Sequence, residues 1–151
     1  MDLHDTRPSA HATGPILVAA SEPGYRLLQK LLADYPLIAA YTIDEALAVL
    51  GRRPDIALVI CAVLFDDSRM FEFLRSATSL YARIPVICVR AVQSGLTRSS
   101  LDSLEEVTKR AGAKAFIDVT TLMGLAGVER ARFELERCMA RYLGSSRSGS
   151  R

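Results

Sequence analysis

The chain has 151 residues, about one domain's worth, and half of them are hydrophobic, enough to bury a sizeable core. Its 19 basic and 17 acidic residues leave a formal charge of +2, which argues against a dedicated nucleic-acid surface. The three cysteines, Cys61, Cys88 and Cys138, are widely spaced with no CxxC pair, so neither a disulfide framework nor a zinc site is suggested.

Residues 1–14 hold both histidines, His4 and His11, among polar residues. This segment lacks the apolar centre of a signal peptide and reads as a disordered leader rather than a metal site. Residues 15–20 (PILVAA) are a short apolar run, read as a buried strand. Over 22–35, Leu27, Leu28, Leu31 and Leu32 recur at helical spacing, with Ser21 as cap and Pro23 in the first turn. A second strand is expected over 37–41, and Thr42 with Glu45 forms a capping-box pattern opening a helix to Leu50.

The most apolar stretch, 56–64 (IALVICAVL), is expected as a central strand, followed by a helix over 69–80. Residues 84–89 (IPVICV) are another continuous apolar strand. Leu101, Leu104, Val107 and Ala111 form one helical face, with Ser99 and Asp102 matching a cap and Gly112 ending the helix. A last strand is expected over 115–119. Val128, Ala131, Leu135, Cys138 and Tyr142 stripe a final helix, and 144–151 (GSSRSGSR) read as a flexible tail. No apolar run is long enough to cross a membrane as a helix.

Strands that are apolar throughout, alternating with amphipathic helices, require a parallel sheet covered on both faces. Right-handed crossovers make it a doubly wound α/β domain over 15–143. In such sheets the site lies beyond the carboxyl ends of the strands, here Ala20, Ser21, Cys61, Arg90 and Val119. There is no Gly-rich phosphate loop, and no Ser-His-Asp set can be built from histidines confined to the leader.

The phrases ILVAASEP (16–23), PDIALVICAVL (54–64), FEFLR (71–75), IPVICVRA (84–91) and GAKAFID (112–118), in this order, resemble the receiver domain of bacterial response regulators. The resemblance implies a five-stranded parallel sheet in the order 2-1-3-4-5. It also implies a role in two-component (phosphorelay) signal transduction, exercised through protein contacts. The segment between Ala91 and Gly112 is longer than the resemblance implies.

The family's chemistry uses an acidic pair for Mg²⁺, a phosphoacceptor aspartate, a hydroxyl residue and a lysine. Carried over, the acidic pair falls on Ala20 and Ser21, the aspartate on Cys61, the hydroxyl on Arg90 and the lysine on Val119, with Thr120 at the following proline. Every one departs from the pattern. Without a carboxylate at 61, aspartyl phosphorylation there is chemically excluded. Glu22, Asp66 and Asp67 are the nearby acids; helix-turn, turn and cap roles are expected of them rather than a rebuilt Mg²⁺ site. No metal and no cofactor is expected.

The expectation is therefore a stand-alone, non-enzymatic pseudo-receiver in the cytoplasm. Its partner would be a protein, a kinase or another signalling component, or a second copy in a homodimer, with neither nucleic acid nor membrane involved. Phe116 falls on the family's switch aromatic. Arg130, Phe133 and Arg137 of the last helix, with Arg132 and Arg141, supply the candidate interaction surface.

The alternative is a redox or small-ligand sensor using the cleft around Cys61 and Arg90. In it Arg90 lowers the Cys61 pKa; otherwise Cys61 is inert packing. Arg90 itself either pairs internally with Asp66, Asp67 or Glu22, or binds an anion or a partner's carboxylate. Cys88 is expected about two residues deeper than Cys61, roughly 7 Å along the strand, too staggered for a disulfide.

Overall fold

The computed structural model describes residues 14–67, 69–92 and 97–149. The expected leader lies outside the described residues except for Gly14, as do 93–96 of the long connecting segment. The strands are β1 (Ile16–Ala19), β2 (Leu37–Ala40), β3 (Leu58–Ala62), β4 (Val86–Arg90) and β5 (Ala115–Asp118). The helices are α1 (Glu22–Leu31), α2 (Ile43–Arg52), α3 (Met70–Leu80), α4 (Arg98–Arg110), α5 (Val119–Ala126) and α6 (Val128–Gly149). All strand pairs are parallel, in the order β2-β1-β3-β4-β5. This is the fold class and strand order that the apolar pattern and the resemblance imply.

The sheet divides the interior into two apolar layers. Leu17, Val59, Cys61 and Cys88 face one layer, covered by Ile43, Ala46 and Leu50 of α2, Phe73, Leu74 and Ala77 of α3, and Leu104 of α4. Ile16, Val18, Ile60 and Val89 face the other, covered by Leu28 and Leu31 of α1 and Ala131, Leu135 and Met139 of α6. Every residue of β1, β3 and β4 is buried, which is why these strands carry no polar alternation. Phe65 and Phe73 meet edge-on, ring centroids 5.5 Å apart.

The caps place the helices. Ser21 Oγ accepts from Gly24 N at 3.3 Å, opening α1. Thr42 Oγ1 accepts from Glu45 N at 3.1 Å, while Glu45 reaches back to Tyr41 N, one residue beyond the usual capping box. α1 stops at Leu31 rather than reaching residue 35: Leu32 leaves helical geometry as the cap, its N–H donating to Leu28 O. α4 is capped by Thr97, whose Oγ1 accepts from Ser100 N; Ser99 and Asp102 lie inside the helix.

β5 ends at Asp118, and Val119 opens a helix that the periodicity does not announce. α6 remains helical through Gly149, into the segment expected as a tail. No helix among the described residues is long and apolar enough to cross a membrane.

Candidate functional site

At the carboxyl end of the sheet several of the expected site residues are buried or held in caps and pairs. Ala20 is fully buried against the α1 face, and its N–H donates to Ala40 O. A Cβ added to Gly24 would lie 3.5 Å from both Ala20 Cβ and Val92 Cγ2, so the first turn of α1 already rests on the ends of β1 and β4. Ser21 is spent on its cap. Glu22 is exposed and pairs with Arg26 at 2.6 Å. Asp66 accepts from Ile43 N at 2.9 Å and pairs with Arg69 at 3.5 Å, a capping role for α2. Leu64, Asp66 and Asp67 occupy positive φ (73°, 48° and 56°), which turns the chain sharply out of β3.

Arg90 ends β4 directly level with Asp118 at the end of β5. Arg90 is 4% exposed, and its Nη1 donates to Asp118 Oδ1 at 3.1 Å, to Oδ2 at 3.2 Å and to Thr121 Oγ1 at 3.3 Å. Asp118 in turn accepts from Thr121 N at 3.1 Å and from Thr121 Oγ1 at 2.7 Å, capping α5. Thr120 Oγ1 donates to Arg90 O at 3.1 Å. The carboxylate that pairs with Arg90 is therefore Asp118, not Asp66, Asp67 or Glu22. Register was the missing signal: Asp118 sits one residue before the position matched to lysine, level with Arg90.

Val119 is fully buried within the α1–α6 layer. No residue of β3 carries a carboxylate, so sliding the match to Cys61 by one place in either direction, to Ile60 or Ala62, supplies none. Among the described residues no three His, Cys, Asp or Glu side chains gather as metal ligands, and no buried side-chain nitrogen or oxygen lacks a hydrogen-bond partner.

Cys61 is fully buried and lies level with Cys88, not staggered from it. Burial, then the hydrogen bond and charge of Cys88, push its thiol well above the usual 9.0. Phe116 is half-buried and, like Leu104 and Ala111, packs against the core layer on the α2–α4 side. On α6, Glu134 pairs with Arg130 at 2.7 Å and with Arg137 at 3.7 Å, and Arg132 Nε donates to Leu31 O. Phe133 is 53% exposed, with the Arg130 guanidinium 5.5 Å from its ring centre. Between β5 and α6 a cleft of about 390 Å³ is lined by β5, Leu122, Glu134, Arg137, Cys138 and Arg141.

No family profile and no curated protein matches the sequence. Solved structures match its fold. A CheY-like receiver domain protein from Methanospirillum hungatei JF-1 is 20% identical over 91% of this chain and 98% of its own, with a TM-score of 0.60. A receiver domain protein from Clostridium thermocellum is 16% identical over 85% of this chain and 95% of its own, at 0.61. NtrX from Brucella abortus is 23% identical over 91% of this chain but 29% of its own, at 0.67. The chain thus has the CheY-like receiver fold of two-component response regulators.

Proposed function

We propose that this chain is a pseudo-receiver: a signalling module that works by protein contact and does not take up a phosphoryl group. The observation that carries the reading is the Arg90–Asp118–Thr121 network, which joins the ends of β4 and β5 where the family's hydroxyl and lysine would meet a phosphoryl group. The acidic pair, the acceptor and the lysine are replaced by Ala20 and Ser21, Cys61, and Val119, which supply neither carboxylates for Mg²⁺ nor a cation to offset phosphoryl charge. A non-enzymatic role goes with this reading: among the described residues the strand ends hold neither the acidic pair, the acceptor aspartate nor the lysine that the family's chemistry uses. The partner is a protein, a kinase or another signalling component, or a second copy of the chain. It docks on the surface of β5 and α6 around Phe116, Arg130, Phe133 and Arg137. The same reading places the protein in the cytoplasm.

A sensor that relies on Arg90 to activate Cys61 is the weaker reading. The Arg90 charge is engaged by Asp118, and burial drives the thiol away from the thiolate. The test is incubation with acetyl phosphate at neutral pH, with and without Mg²⁺, followed by intact-mass measurement. No mass increase is expected; incorporation of a phosphoryl group at any residue of the sheet's carboxyl end overturns the reading.

A further inference from the structure

We propose that Cys61 and Cys88 form a buried dithiol that a small peroxide or a diazene oxidant closes to an intramolecular disulfide linking the two central strands. The inference is independent of the proposed function. Cys61 and Cys88 are register partners on adjacent parallel strands, and both side chains face the layer under α2 and α3. Neighbouring strands lie about 4.8 Å apart, inside the Cα separation of roughly 4.4–6.8 Å that a disulfide spans. Both thiols are fully buried in that layer. Both are free in this structure.

The geometry also sets what kind of disulfide this is. Side chains standing level on parallel strands hold their Cβ atoms near the strand spacing, whereas a relaxed disulfide brings them to about 3.8 Å. Closure must draw β3 and β4 together, and a strained bond is more easily reduced. The bond is therefore a reversible one rather than a permanent staple.

With hydrogen peroxide the chemistry balances as follows. One cysteine loses its proton and its sulfur attacks a peroxide oxygen. The O–O bond breaks, giving a sulfenic acid and, with that proton, one water. The second thiol, losing its proton, attacks the sulfenic sulfur, forming the S–S bond and releasing a second water. Two thiols are oxidised and one peroxide is reduced. A buried pair is reached only when the helical layer over it opens, so the rate is set by that opening and rises in sub-denaturing urea.

The test uses the full chain carrying Cys138→Ser, which leaves only the pair. Diamide or hydrogen peroxide is applied in native buffer and in sub-denaturing urea. Free thiols are then blocked under denaturing conditions, and non-reduced tryptic peptides are read by mass. Expected is loss of two hydrogens per chain, residues 53–69 linked to 84–90, faster closure in urea and reversal by dithiothreitol. Cys88→Val, which keeps the core filled should Cys61→Ala fail to fold, abolishes the linked species. Sulfinic acid on one cysteine alone, links between chains, or two free thiols after oxidation in urea overturn the proposal.

Discussion

Asp118 and Arg90 are not equal members of their pair. The Arg90 side chain is 5% exposed and the Asp118 side chain 22%. Asp118 keeps solvent and two bonds from Thr121 if the guanidinium is removed, whereas removing Asp118 takes two charge-assisted hydrogen bonds from a guanidinium that stays buried. Removing one partner of a buried pair is costly mainly through the charge left behind, and an apolar replacement of similar shape avoids that cost. Asp118→Ala should therefore destabilise by about 2–4 kcal/mol, which includes the lost cap of α5 at about 1 kcal/mol. Arg90→Met should cost about 1 kcal/mol or less. Urea denaturation midpoints of the two variants measure the difference, and equal costs would refute the asymmetry.

Glycines show how the elements are bounded. Gly112 follows α4 at φ 118°, and a Cβ there would lie 2.6 Å from Thr78 Cγ2, so only glycine fits. Gly124 sits inside α5 with nothing within 4 Å of a Cβ. Gly112→Ala should lower stability by about 2 kcal/mol or more, while Gly124→Ala should raise it by about 0.5–1 kcal/mol. Thermal unfolding of the pair tests both signs at once; a neutral Gly112→Ala would mean that the turn after α4 can be rebuilt. Gly112 was legible as a helix end because glycine after a periodic stripe is a physical signal. α5 was not, because VTTLMGLA is apolar on nearly every side and offers no 3.6-residue period; only the Asp118 cap and Gly127 at its end mark it. The level of Cys88 against Cys61 was hidden for the same kind of reason. IALVICAVL and IPVICV are buried on both faces, and a strand without alternation carries nothing that sets its register.

At the scale of the whole molecule, a receiver signals only if a ligand binds one of two conformations better than the other, since a ligand without that difference shifts no population. On the proposed pseudo-receiver reading, the positions that would create the difference carry other residues in this chain or are engaged. β3 has no carboxylate, Val119 is buried where a lysine would reach out, and Arg90 is joined to Asp118 across β4 and β5. Phe116, which would follow such a change, lies two residues before Asp118 on the same strand and packs against the layer under α2–α4. The pairing of Arg90 and Asp118 thus supports a strand end held in one arrangement, available to a partner without an input at this site. Beryllofluoride mimics a phosphoryl group by completing its shell with a carboxylate oxygen, and needs Mg²⁺ beside it. Adding both should leave the amide spectrum of the isotope-labelled protein unchanged, including the signals of β5, α4 and α6. Asp118→Ala should move the signals of Phe116 and Thr121 with no ligand present, because it releases the β5 end directly. Shifts on adding beryllofluoride that propagate to Phe116 would instead mean that a ligand-driven equilibrium survives, and the fixed-state reading would fall.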